Sequence, residues 1–274
     1  MKIAFCTCVQ LGKSCIEKVY NLGGSFDLLI TLEDQLLKKK SGRIYLDKIS
    51  DQHSTPLLKI KHINDNAVIE TLKEYEVDWL FIIGWSQIAS EDVLRSCKKG
   101  VIGAHPTLLP RGRGRAAIPW AIIKGLDCTG LTFFKMDKGV DTGDILQQIE
   151  IPITKDETSN TLYNKVNTAH IDLIEKIWPL ILSDSLTTQK QDESQATYWD
   201  GRKPQDGEID LKNMTVDKVD RLVRATTKPY PGAFIINNNQ KIIIWSGVKD
   251  KDAEGMKIEC KDGIFIATNI EVIN

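Results

Sequence analysis

Apolar residues fall in short runs separated by stretches of helical spacing. Residues 2–9 are apolar and small, Gly12 follows, and residues 14–22 alternate apolar and polar at roughly helical period, so the chain opens as strand, turn and helix. The turn lacks the Gly-x-Gly-x-x-Gly spacing of a dinucleotide site. Residues 26–30 predict a second buried strand. The pattern then turns polar over residues 33–55, and the lysines at 38–40 are expected on a solvated face. Residues 67–75 return to helical period. Trp79-Leu80-Phe81-Ile82-Ile83, bounded by Asp78 and Gly84, is the unbroken apolar run of a central strand covered on both faces. Further strands are predicted at residues 100–103 and 130–134, with a helix over 116–124 between them.

Strands alternating with helices predict an α/β fold with a mostly parallel twisted sheet. In such sheets ligands sit at the carboxyl ends of the strands, which directs attention to residues 84–90, 105–110 and 138–144. A long helix is expected over 159–182, capped by Ser159. The polar stretch over 183–197 reads as a linker. Beyond it come a short helix at 216–224, a Pro-Tyr-Pro-Gly turn at 229–232, short strands at 241–245 and 257–259, and turns at 237–239 and 262–263. The expected organisation is a catalytic domain over 1–185, a linker over 186–203 and a small β-rich domain over 204–274.

Charge adds an exclusion. Lys plus Arg total 36 against 37 Asp plus Glu, a formal net charge of −1. That balance gives no general attraction to nucleic acid or to an anionic membrane. No basic region precedes an apolar leader and no run reaches a membrane span, so a cytoplasmic protein is expected. The six cysteines are scattered and read as reduced thiols; Cys6 and Cys8 lack a second pair at zinc-ligand spacing, so no metal is expected.

The densest chemical signal is His105-Pro106-Thr107-Leu108-Leu109-Pro110, followed by Arg111-Gly112-Arg113-Gly114-Arg115 and, further on, Asp141-Thr142-Gly143-Asp144. A histidine after a buried strand is placed where a base can meet a ligand, although a lone loop histidine is more often a structural hydrogen bond. As a set, residues 78–150 resemble the folate-dependent formyltransferases, matching their His-Pro-Ser-Leu-Leu-Pro motif and Asp-x-Gly loop. The similarity continues more weakly through Trp199-Asp200-Gly201-Arg202-Lys203-Pro204 and residues 224–234.

The resemblance implies a Rossmann-like catalytic domain with an OB-like C-terminal domain. It implies attack of an amine on the formyl carbon of 10-formyltetrahydrofolate, through a tetrahedral intermediate that expels the folate nitrogen. By motif position His105 is the acid/base or oxyanion-stabilising residue and Asp141 orients it. The folate pocket is placed on Ile83, Trp85, Gln87 and Ile88, on Thr107, Leu108, Leu109 and Pro110, and on Gly139, Val140 and Asp144. Trp85 is as readily ordinary core. One departure stands out, because the family carries Asn two residues before the histidine and this chain has Gly103. Losing an oxyanion donor costs about 10²–10³ in rate. The substitutes in reach are a backbone N–H near Leu109, the Gln87 side chain, or protonated His105.

Arg111, Arg113 and Arg115 are interleaved with glycines and could receive a substrate phosphate, since guanidinium matches phosphate oxygens; solvated or ion-paired arginines are equally compatible with the pattern. By similarity to the sugar-modifying branch, Trp199, Lys203 and Tyr230 are candidates for the nucleotide, with Tyr230 or Trp199 stacking on a base unless they are second-domain core. The expected acceptor is therefore a nucleotide-linked amino sugar, with no nucleic-acid or membrane partner and a homodimer as one open assembly. Methionyl-tRNA is the alternative acceptor, although residues 204–274 carry many carboxylates where an acceptor stem would need a basic surface. A non-catalytic folate or nucleotide-sugar binder, and a hydrolase releasing formate, are the readings of other classes.

Overall fold

The computed structural model describes residues 1–38, 42–237, 240–250 and 252–273. Lys39 and Lys40 of the lysine run, and Asn238 and Asn239 of the expected turn, lie outside them. The chain forms two compact units. One comprises Met1–Arg113, Gly130–Glu150 and Val166–Tyr198, the other Gly114–Thr129, Ile151–Lys165 and Trp199–Asn274.

A seven-stranded sheet is built from β1 (Ile3–Cys6), β2 (Leu28–Leu32), β3 (Leu57–Ile60), β4 (Trp79–Ile82), β5 (Gly100–His105), β6 (Cys128–Lys135) and β7 (Ile145–Pro152), in the order β3-β2-β1-β4-β5-β6-β7. β1 pairs in parallel with β2 and β4, β2 with β3, and β4 with β5, while β6 runs antiparallel to β5. The unbroken apolar runs are explained by this placement: every residue of β1, β2 and β4 is buried. Residues 10–21, 66–74 and 159–182 are helical, close to the expected bounds.

The polar excursion is more ordered than its composition suggests. It holds short helices at Asp34–Leu37 and Asp47–His53, anchored by the buried Leu37, Leu46 and Ile49. Three apolar anchors spread over that stretch leave too sparse a periodicity to announce either helix.

In the second unit, β8 (Ala233–Asn237), β9 (Gln240–Val248), β10 (Met256–Cys260) and β11 (Gly263–Ile273) form an antiparallel sheet in the order β8-β9-β11-β10. The helix Val216–Thr226 contributes Val219, Leu222 and Val223 to a core with Ala233, Ile244, Ile258 and Phe265, and Ile123 of the helix Ala117–Ile123 packs against the same cluster. No helix among the described residues is long and apolar enough to cross a membrane.

Candidate active site

β5 ends on His105, so the strand delivers the imidazole to the carboxyl edge of the sheet, where it is 6 % exposed. Nδ1 lies 3.3 Å from the Asp141 carboxylate and Nε2 lies 2.7 Å from the Gly112 carbonyl. A carbonyl only accepts, so Nε2 carries a proton. The carboxylate at Nδ1 also accepts, and protonation of both nitrogens satisfies both contacts. The ring is thus fixed in plane and direction by two groups far apart in sequence.

The 107–110 loop is tied down by residues the sequence did not single out. The Thr132 hydroxyl donates to the Thr107 carbonyl at 2.7 Å and accepts from the Leu109 N–H at 3.1 Å and from Gln148 Nε2 at 2.8 Å; the same Gln148 amide donates to the Leu109 carbonyl at 2.8 Å. β6 is buried without alternation from Thr129 to Phe134, so its pattern does not mark Thr132 as gripping this loop.

Asp141 sits in the left-handed region at φ 56°, a conformation unusual for a residue other than glycine. Gly143 has no such freedom to change: a Cβ there would lie 1.8 Å from the Lys135 carbonyl oxygen. Asp137 completes the turn by accepting from the Gly139 N–H at 3.0 Å and the Thr142 hydroxyl at 2.6 Å.

At the end of β4, Gln87 braces its neighbours. Its Oε1 accepts from the Ile63 N–H at 2.8 Å and from Trp85 Nε1 at 3.1 Å, and its Nε2 donates to the Lys61 carbonyl at 3.0 Å. Ile83 is fully buried and Trp85 half-buried, whereas Ile88 is 73 % and Val140 50 % exposed. Ile88 and Val140 therefore leave apolar surface uncovered on these two loops.

Of the three substitutes for the absent Asn, the Leu109 N–H is held by Thr132, Gln87 Nε2 gives one of its two N–H groups to the Lys61 carbonyl, and His105 Nε2 meets the Gly112 carbonyl. The space over Gly103 is filled from β6 and its extension, since a Cβ at that position would meet Phe134 Cζ and Met136 Cγ at 3.0 Å.

The arginines separate. Arg111 is exposed and donates to Gln195 Oε1 at 3.1 Å, and Arg115 is exposed. Arg113 is fully buried, and its guanidinium contacts Gln191, Glu193 and Tyr198. The hydrogen bonds to Glu193 hold the guanidinium pKa above its ordinary value and lower that of the carboxylate. In the second unit, Lys203 and Tyr230 line one cavity of about 140 Å³ with Ala116, Pro119, Arg202 and Thr226. Burial raises the Tyr230 phenol pKa. Trp199 lies apart from that lining, with Lys124 Nζ 5.9 Å from its ring centroid. Among the described residues no cluster of three or more His, Cys, Asp or Glu could hold a metal.

Comparison with known proteins gives the same direction. The formyl transferase family pattern matches residues 27–177, and the formyl transferase C-terminal domain matches residues 202–274. The bifunctional polymyxin resistance protein ArnA of Wigglesworthia glossinidia brevipalpis is 35% identical over 235 residues, covering 86% of this chain, which spans only 35% of that relative. Two solved structures share the fold. Methionyl-tRNA formyltransferase from Clostridium thermocellum is 19% identical with TM-score 0.68, over 100% of this chain and 99% of its own. The N-formyltransferase from Helicobacter canadensis, solved with folinic acid and dTDP-3-aminofucose, is 18% identical with TM-score 0.71, over 97% and 98%. With one family pattern covering more than half its length and the companion domain matched after it, this chain belongs to the formyl transferase family.

Proposed function

We propose that the chain transfers a formyl group from 10-formyltetrahydrofolate to the amine of a nucleotide-linked amino sugar, with residues 1–185 as the catalytic domain and 204–274 as the smaller β-rich one. The observation that carries this reading is the His105–Asp141 pair at the carboxyl end of β5, in a chain of this family. Bound folate would supply an activated formyl carbon and a leaving nitrogen. Ile83, Trp85 and Ile88 with Gly139, Val140 and Asp144 would hold it through backbone groups and the exposed apolar surface of Ile88 and Val140, with the 107–110 loop beside them and Gln87 keeping the first segment in shape.

Formyl transfer requires the acceptor nitrogen to lose a proton and the departing nitrogen to gain one. His105 is placed to give its Nε2 proton to the departing nitrogen and then to take one from the acceptor nitrogen, with Asp141 holding the ring from behind. Its Nε2–H contacts only a loop carbonyl, which a substrate oxygen or nitrogen can replace without disturbing the Asp141 contact. In the alternative role the Nε2–H would instead stay with the formyl oxygen and stand in for the Asn amide that Gly103 cannot provide.

The acceptor assignment is supported by the near-neutral overall charge, by the cavity that brings Lys203 and Tyr230 together, and by the similar N-formyltransferase solved with dTDP-3-aminofucose. Lys203 would meet a phosphate and Tyr230 the base; exposed Arg115, and Arg111 on leaving Gln195, would turn toward phosphate oxygens, and Trp199 offers a second aromatic face. A panel of dTDP- and UDP-linked amino sugars, assayed with 10-formyltetrahydrofolate beside methionyl-tRNA, tests this. Formylation of at least one nucleotide sugar, with the free sugar a poor substrate and no formyl-methionyl-tRNA above background, is expected. Efficient formylation of methionyl-tRNA alone would refute the acceptor and leave the reaction; release of formate without acceptor would make the chain a hydrolase.

A further inference from the structure

The five N–H donors of a guanidinium are all spent at Arg113. Nε and Nη2 donate to Gln191 Oε1 at 3.1 and 2.8 Å, Nη1 donates to Glu193 Oε2 at 2.9 Å and to Tyr198 Oη at 2.8 Å, and Nη2 donates to Glu193 Oε1 at 2.6 Å. Gln191 is used as fully. With its carbonyl oxygen given to Arg113, its Nε2 donates to the Asp141 carbonyl at 2.9 Å and the Gly143 carbonyl at 2.7 Å. The same segment reaches the other side of the imidazole: Thr197 accepts from the Gly112 N–H through its hydroxyl at 2.8 Å and from the Arg113 N–H through its carbonyl at 2.9 Å.

Both groups that fix the His105 ring therefore hang on one brace. The Gly112 carbonyl precedes buried Arg113, and the Asp141 carboxylate belongs to a residue whose left-handed backbone is held at its carbonyl by Gln191. A guanidinium buried to 0 % exposure with no donor left has nothing to offer a phosphate, whatever the Arg-Gly-Arg-Gly-Arg spacing suggests.

We propose that Arg113 and Gln191 are positioning residues, a buried strut that sets the Asp141 and Gly112 contacts of His105, and that Arg113 does not bind substrate phosphate. This rests on His105 acting in formyl transfer as proposed above. The strut works through direction: Gln191 must accept from Arg113 and donate to two carbonyls, so only an amide fits.

Gln191→Glu tests it, because the carboxylate still accepts from Arg113 but cannot donate to the Asp141 and Gly143 carbonyls. Gln191 is half-buried at the end of its segment, and the Arg113–Glu193 pair survives the change. In steady-state formyl transfer the expected result is kcat lowered by about 10–10²-fold, since small misplacements of a catalytic group cost that much, with KM for the nucleotide sugar within roughly threefold of wild type. Arg113→Lys, which keeps a charge but loses the fork, should show the same split. An unchanged kcat in Gln191→Glu, or an Arg113→Lys variant with raised acceptor KM and wild-type kcat, would overturn the proposal. Amide hydrogen exchange over residues 139–143 needs no substrate and should speed up by roughly tenfold or more in Gln191→Glu. If wild-type protein formylates no acceptor, the functional reading fails while this exchange measurement still decides the strut: unchanged exchange sinks it.

Discussion

At the scale of single residues, the place of His105 at the end of a buried strand was legible in the sequence and the burial of Arg113 was not. The histidine stands at the end of an apolar run, and a run of that kind fixes where its last side chain emerges. The arginine sits in a glycine-rich stretch that looks solvated, and what buries it, Glu193 and Gln191, lies some eighty residues on in a polar segment with no pattern of its own. Gly103 is a second residue-scale matter. Installing Asn there puts side-chain atoms against Phe134 and Met136, so Gly103→Asn is expected to lose about 1–3 kcal/mol of stability from overpacking. Met136→Ala in the same chain should recover part of that loss, because Met136 supplies two of the three nearest atoms. Urea unfolding of the two variants checks it, and a Gly103→Asn protein as stable as wild type would show that Met136 yields without cost.

At the scale of elements, continuous apolar runs and helical spacing located β1, β2, β4, β5 and β6 and the long helix, each within a few residues. The edge strand β3 is only partly buried, and β7 and β11 carry exposed positions, so their mixed patterns did not stand out from loops. Loop architecture was the least legible part, because it is written in pairings between elements. Thr132 on β6 and Gln148 on β7 hold the loop after β5 through three hydrogen bonds, two accepted by loop carbonyls and one donated by a loop amide, and a fourth joins the two side chains. Thr132→Val preserves the shape of a fully buried side chain while leaving the Leu109 N–H and the Thr107 carbonyl without that partner. The expected loss is about 1–3 kcal/mol, the cost of orphaned buried polar groups, read as a lower urea midpoint; a midpoint within error of wild type would mean the loop finds other partners.

At the scale of the whole molecule, which stretches pack together is a long-range fact that local periodicity does not carry, as with Ile123 joining the core of Val219 and Leu222. The response to pH is also global. His170 is buried in the long helix, its Nδ1 donating to the Val166 carbonyl at 2.8 Å, and burial pushes its pKa down to about 4 from 6.5. A base depressed in the folded state stabilises the fold fully above the unfolded value, and that contribution drains away as pH falls from about 6.5 toward about 4, a difference of about 3 kcal/mol. Unfolding free energy measured between pH 7 and 4.5 should fall accordingly, and less steeply in His170→Asn, which keeps a donor but does not titrate. Parallel pH curves for the two proteins would remove His170 as the cause. The central claim concerns the imidazole at the end of β5, and the most direct measurement is acceptor-dependent formyl transfer by folded His105→Ala beside wild type, using 10-formyltetrahydrofolate and a nucleotide-linked amino sugar. The expected result is a fall in kcat of about 10²–10⁴-fold, the worth of a positioned acid/base; activity retained within roughly threefold would contradict it.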